Sequence, residues 1–169
     1  VTSIVYSPNG KYIATCSWDK TTRIWDVSTM KTIYTLKGHD DSVVGCAWAP
    51  DSRKLITGSD DGTAIVWNIN NGKPIKTLNA YSGEVHSVAW SPDGLSILTG
   101  NEDHTVKVWD VQSFEVATVL SGHTDGVYSV AYSPDGHSIL TASWDKTAKF
   151  WKSKAAEPVV TFRGDSKSK

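Results

Sequence analysis

Residues 84–120 read EVHSVAWSPDGLSILTGNEDHTVKVWDVQSFEVATVL, and this stretch decides the fold. Glu84 to Trp90 forms an apolar first strand, followed by the turn Ser91-Pro92-Asp93-Gly94. Proline pre-sets a turn dihedral and glycine accepts positive φ, so the chain reverses there. Ser96 to Gly100 reads as a second strand. It leads into the tight turn Asp103-His104-Thr105, where an aspartate side chain can bond backbone amides ahead of it. Val106 to Val111 supplies a third strand, with Val106, Val108 and Trp109 for packing. Glu115 to Leu120 supplies a fourth, more polar one. So many short strands and turns predict an all-β fold.

The pattern recurs along the chain. Trp25, Trp67, Trp109 and Trp151 are spaced by 42 residues. Asp19, Asp61, Asp103 and Asp145 keep the same step, as do Pro8, Pro50, Pro92 and Pro134, and Thr21, Thr63, Thr105 and Thr147. Four independent columns in step mark a true repeat. The strands are apolar on both faces, as in Val43 to Trp48 and Ala64 to Ile69. A strand covered on one side alternates apolar and polar residues, so these sheets need a neighbour on each face. Radially arranged four-stranded sheets meet that need.

The net charge of -1 argues against a nucleic-acid binder relying on a basic field. Lysine is concentrated only from Lys152 to Lys169, which reads as a solvated tail. Cys16 and Cys46 form no CxxC pair. Cys16 shares a repeat position with Gly58, Gly100 and Ala142, and Cys46 shares one with Ile4, Val88 and Val130. Both therefore read as packing residues, reduced in a cytoplasmic or nuclear protein. No apolar run is long enough for a membrane span, and no signal peptide is visible.

Gly38-His39 and Gly122-His123, together with Trp25-Asp26 and Trp109-Asp110, resemble the WD40-repeat family. Trp67-Asn68 and Trp151-Lys152 are degenerate forms of the second signature. The resemblance runs to about Gly164. It implies a WD40-type β-propeller with four four-stranded antiparallel blades, at about 1–38, 39–80, 81–122 and 123–164, then a polar tail at 165–169. The family usually closes rings of seven or eight blades, so this chain is expected to be part of a larger ring. The missing blades would lie before Val1 or in another chain. Two copies joined head to tail are the alternative.

The resemblance also implies a hydrogen-bonded tetrad in each blade. By position the second blade supplies His39, Ser59, Asp61 and Trp67, and the fourth His123, Ser143, Asp145 and Trp151. The third departs, with Tyr81 and Asn101 in the His and Ser positions. These sets hold Ser, His and Asp together, but buried polar groups must satisfy one another, and the set recurs where an active site would be single. No Gly-x-Ser-x-Gly elbow, phosphate loop or HExxH motif appears. The expectation is therefore no catalytic residue, no cofactor and no metal.

In the family, partners dock on the propeller's top face, where the residue before each tight-turn Asp lies: Trp18, Asp60, Glu102 and Trp144. First-strand entries add Glu84, His86 and Tyr128. Tryptophan is enriched at binding hot spots. Glu84, Glu102, Tyr128 and Trp144 would form one acidic and aromatic patch, suited to a basic segment through charge and cation–π contact. His86, His104 and His137 read as ordinary surface histidines. The function expected is a non-catalytic scaffold that docks proteins or peptides, with no nucleic acid or membrane as partner. The alternative is the substrate-recognition propeller of an enzyme or an enzyme complex.

Overall fold

A computed structural model describes residues 1–80, 83–153 and 155–164. Tyr81, placed above in the third histidine position, and the tail at 165–169 lie outside the described residues. The described chain forms sixteen strands in four antiparallel meanders. The first sheet holds β1 (Ser3–Tyr6), β2 (Tyr12–Cys16), β3 (Thr21–Asp26) and β4 (Lys31–Lys37). The second holds β5 (Val43–Trp48), β6 (Lys54–Ser59), β7 (Thr63–Asn68) and β8 (Lys73–Asn79). The third holds β9 (Val85–Trp90), β10 (Ser96–Asn101), β11 (Val106–Asp110) and β12 (Val116–Leu120). The fourth holds β13 (Val127–Tyr132), β14 (Ser138–Ser143), β15 (Thr147–Lys152) and β16 (Pro158–Arg163). The strands read from the sequence are all present, with ends shifted by one or two residues.

The turns follow from local chemistry. In each tight turn the aspartate accepts the N–H and the hydroxyl of the threonine two residues on, as Asp61 does from Thr63 at 2.9 and 2.7 Å. The residue between them has a positive φ in every sheet: Lys20, Gly62, His104 and Lys146. Only one of the four is glycine, so the aspartate's bonds offset backbone strain that a side chain would otherwise avoid.

The core lies between sheets rather than within one. Ala14, Ile24 and Leu36 of the first sheet meet Leu55 and Trp67 of the second. Ile56, Val66 and Leu78 of the second meet Val88, Ile97 and Trp109 of the third. Leu98, Val108 and Leu120 of the third meet Val130, Ile139 and Trp151 of the fourth. Each sheet thus offers an aliphatic face forwards and a tryptophan-bearing face backwards. This accounts for strands that are apolar on both sides.

The repeat makes the two ends of the stack visible. Leu140 occupies the position of Ile56 and Leu98, yet it is 49% exposed where they are 0%. Phe162 is 52% exposed where its equivalents Leu78 and Leu120 are 1%. At the other end Ile13 and Trp25 are half-buried, whereas Leu55 and Trp67 are buried. The four sheets are blades of an arc, with no closed ring. Their first strands line a central cavity of about 420 Å³, bordered by Tyr6, Cys46, Trp48, Trp90 and Tyr132.

Candidate functional site

Two kinds of polar cluster compete for attention, and the first is buried. In the second blade the Trp67 indole N–H donates to Thr57 Oγ1 at 2.9 Å. His39 Nε2 lies 2.7 Å from the same hydroxyl, and His39 Nδ1 lies 2.9 Å from Asp61 Oδ2. With Nδ1–H donating to the carboxylate, Nε2 accepts from Thr57, and the chain runs one way from indole to aspartate. The fourth blade repeats it through Trp151, Thr141, His123 and Asp145, at 3.0, 2.7 and 2.7 Å.

The hydroxyl in each chain corrects the sequence expectation. Ser59 and Ser143 do not join histidine to tryptophan; Thr57 and Thr141 do. Residues two apart share a strand face, so both hydroxyls point the same way. In register, however, Leu55 opposes Trp67 and Thr57 opposes Ile65, which brings Thr57 under the indole nitrogen. Ser59, at the strand end, donates to the Asp41 carbonyl at 3.2 Å and accepts the Asp61 N–H at 3.1 Å. Ser143 does the same with Asp125 and Asp145. Threonine at 15, 57, 99 and 141, ten residues before each tryptophan, was the signal available in the sequence.

Burial opposes ionisation of Asp61, but bonds from Thr63, the Asp40 N–H and His39 outweigh it and hold its pKa below the usual carboxylate range. Asp145 is held well below by the same kind of set, with Thr147, His123 and Thr124 outweighing burial. Burial pushes His39 down, against the pull of Asp61, so the imidazole stays neutral near pH 7. A neutral histidine, locked on both nitrogens and almost without solvent contact, cements a turn; no atom of it is free to meet a substrate.

The third blade departs, as its sequence does. Trp109 still donates to Thr99, at 3.1 Å, but Asn101 gives its amide to the Thr99 and Thr105 carbonyls. Asp103 is paired with Lys107 Nζ at 2.9 Å.

The second cluster is exposed and crosses from the third blade to the fourth. His86 Nε2 lies 2.7 Å from Glu102 Oε2, and its Nδ1 lies 3.8 Å from Glu84 Oε2. The Trp144 indole leans on the imidazole, with ring centroids 4.8 Å apart and planes at 57°. Tyr128 stacks on Trp144 at 6.5 Å and 22°. Glu84, His86, Glu102, Tyr128 and Trp144 thus form one continuous group. Trp144 is 50% and Tyr128 46% exposed. Trp18, on the first blade, is 75% exposed and is not part of this group. The indoles of Trp18 and Trp144 are therefore not covered by their own blades.

His86 corrects the expectation of an ordinary surface histidine. Its side chain is only 10% exposed, because Trp144 covers it and Glu102 grips it. It acts as a post that positions the carboxylate and the indole. The tip of the patch is held from below as well. Gly126 leaves no room for a side chain: a β-carbon there would lie 2.8 Å from Glu102 Oε2 and 2.9 Å from Trp144 Cε3. The sequence carried no sign of this close approach beyond the glycine itself.

Asp60 extends the acidic side. Burial pushes its carboxyl up, Asp41 adds repulsion, and His86 pulls the other way. A ligand-type atom from each of Asp60, Glu84 and His86 lies within 4.8 Å of the others, so these three residues could hold a cation. Asp60 and Glu84 also border an open hollow of about 330 Å³, shared with Asp61, Thr63 and Asn79. The surface is therefore negative, aromatic and recessed, a combination that draws positive groups.

Known proteins share the repeat. The WD40 family, described as "WD domain, G-beta repeat", matches residues 1–26, 30–68, 72–110 and 114–152. Each internal match takes the fourth strand of one sheet and the first three of the next, so the family's repeat stitches neighbouring blades together. The General transcriptional corepressor TUP1 of Saccharomyces cerevisiae is 37% identical over 43 residues, covering 25% of this chain and 6% of that protein. The mouse WD repeat-containing protein 37 is 40% identical over 37 residues, covering 22% of this chain and 8% of that protein. The matches span under a tenth of either relative's length. With four family matches laid over four blades, the chain belongs to the WD40 family.

Proposed function

We propose that this chain is a non-catalytic docking platform whose top-face patch takes a cationic side chain, lysine or arginine, from a protein or peptide partner. The observation that carries this reading is the stacked Trp144 and Tyr128 pair set beside Glu84 and Glu102, all about half exposed. A cation over an aromatic face gains about 0.5–2 kcal/mol, more when desolvated. The carboxylates add charge complementarity and steer encounter. Membership of the WD40 family supports a protein-binding role, and a relative named as a transcriptional corepressor fits one. Cys16 and Cys46 are free thiols, in keeping with a cytoplasmic or nuclear setting.

The bare faces of the first and fourth blades belong to the same reading. Further blades of this type, from the same protein or another chain, would cover Leu140 and Phe162 on one side and Ile13 and Trp25 on the other.

Titration with a tetralysine peptide, followed through the tryptophan indole N–H resonances, tests the docking reading. The Trp144 resonance should move saturably, and the fully acetylated peptide should leave it unmoved. Equal shifts with both peptides, or shifts at Trp18 alone, would refute a cation site here.

A further inference from the structure

Cys16 and Cys46 are 30 residues apart in sequence, on different blades, and the structure sets their side chains face to face across the first seam. The repeat explains why. Cys16 stands in the position of Gly58 and Gly100, and Cys46 in that of Val88 and Val130. At the second seam, a β-carbon built on Gly58 lies 2.9 Å from Val88 Cγ1. At the third, one built on Gly100 lies 2.9 Å from Val130 Cγ1. A disulfide requires the β-carbon of one residue to lie about 3 Å from the γ atom of the other. Repeat geometry therefore makes these two positions neighbours across each of these seams, and the first seam fills both with cysteine.

The two thiols share one hydrogen bond. Cys16 is fully buried and takes a hydrogen bond from the Thr22 hydroxyl at 3.5 Å. The bond with Cys46, helped by Thr22, holds the Cys16 thiol below its ordinary range despite burial. The same bond and burial push Cys46 up. Cys46 is also the one of the pair that borders the central cavity.

We propose that Cys16 and Cys46 form a redox modification site, at which a hydroperoxide entering the central cavity converts the pair to a disulfide that staples the first blade to the second. The Cys46 sulfur attacks a peroxide oxygen and the O–O bond breaks. The leaving oxygen takes the thiol proton, departing as water or an alcohol, and Cys46 becomes a sulfenic acid. The Cys16 sulfur then attacks the Cys46 sulfur. The S–S bond forms, the S–O bond breaks, and the departing hydroxide leaves as water with the Cys16 proton. The two thiols lose two electrons and the peroxide gains them. Among the described residues the first blade, like the fourth, has a neighbour on one face only, so this bond fixes an end sheet of the stack.

Hydrogen peroxide treatment of the chain, followed by maleimide blocking, intact mass and peptide mapping, tests the proposal. The expected product is a monomer lighter by two hydrogen atoms. It should carry a Cys16–Cys46 cross-linked peptide, take no maleimide, and revert with dithiothreitol. Oxidised protein should also melt at a higher temperature than reduced protein. Cys46→Val and Cys16→Ala introduce the residues found at equivalent positions 88 and 142, so both should fold. Each should abolish the cross-link and the melting shift. The proposal is overturned if both thiols still take maleimide after treatment that oxidises free cysteine. It is equally overturned if the pair gains oxygen atoms instead, or if the disulfide joins two chains.

Discussion

Lys107 Nζ sits 2.9 Å from Asp103 Oδ2, so the third blade pairs its tight-turn aspartate with an ammonium where the second and fourth hydrogen-bond it to an imidazole. The first blade sets Arg23 3.8 Å from Asp19 in the same relationship. The basic residue comes four positions after the aspartate in both. The second blade, which has its histidine, places Ile65 at the corresponding position.

Replacing Lys107 with methionine should therefore cost about 1 kcal/mol, since the lysine is largely buried and the aspartate is left unpaired. Urea unfolding at low and high salt checks this. The gap between wild type and variant should narrow as salt rises, because the partner carboxylate is partly exposed. A gap unaffected by salt would assign Lys107 a packing role only.

Thr57 and Ser59 can be separated by substitution. Thr57→Val leaves the buried Trp67 N–H and His39 Nε2 without their shared partner, and should cost about 2–3 kcal/mol. Ser59→Ala should cost about 1 kcal/mol, because it removes bonds only at the turn entry. Equal losses, or a larger loss at Ser59, would restore the serine to the network.

Acid should destabilise the fold in two stages of the same sign. His39 has a folded pKa below its unfolded value of about 6.5, so the unfolded chain takes the proton first and stability falls as pH drops through that value. Asp61 and Asp145 are depressed too. Their contribution is complete above the unfolded value of about 3.9 and is lost as pH falls through their folded values. Unfolding free energy measured from pH 8 to 3 should therefore decline gently below about 6.5 and steeply below about 4. His39→Asn should remove the gentle decline. A profile that rises toward pH 5 would contradict the assignment of a neutral His39.

The bare end faces predict self-association of the chain studied alone. Fully burying a side chain such as Leu140 or Phe162 contributes about 1.5–3 kcal/mol, so adding a charge there should oppose any contact. In sedimentation velocity the wild type should show mass increasing with concentration. Leu140→Glu with Phe162→Glu should hold the protein as a monomer. A wild type monomeric at every concentration would mean that these faces have no affinity for another sheet.

The columns of Trp, Asp, Pro and Thr already specified sixteen strands, because turn chemistry and apolar periodicity are local and recur. What the sequence hid depends on register and on contacts across seams. Two hydroxyls on one strand face look equivalent until the opposing strand selects Thr57 over Ser59. His86 looked like a surface residue because its partners, Glu102 and Trp144, come from the next hairpin and the next blade. Cys16 and Cys46 looked like unrelated packing residues because no spacing rule joins the second strand of one blade to the first of the following one. The same columns contained the clue, since Gly58 meets Val88 at the equivalent contact.

The most direct test of the docking account is the affinity of a lysine-bearing peptide for wild type, Trp144→Ala and Trp18→Ala, measured by isothermal titration alongside melting temperature. Trp144→Ala should weaken binding by more than about 1 kcal/mol while melting stays within a few degrees of wild type. Trp18→Ala, outside the cluster, should bind as wild type does. Undiminished binding by Trp144→Ala, or a loss at Trp18 in its place, would contradict the account.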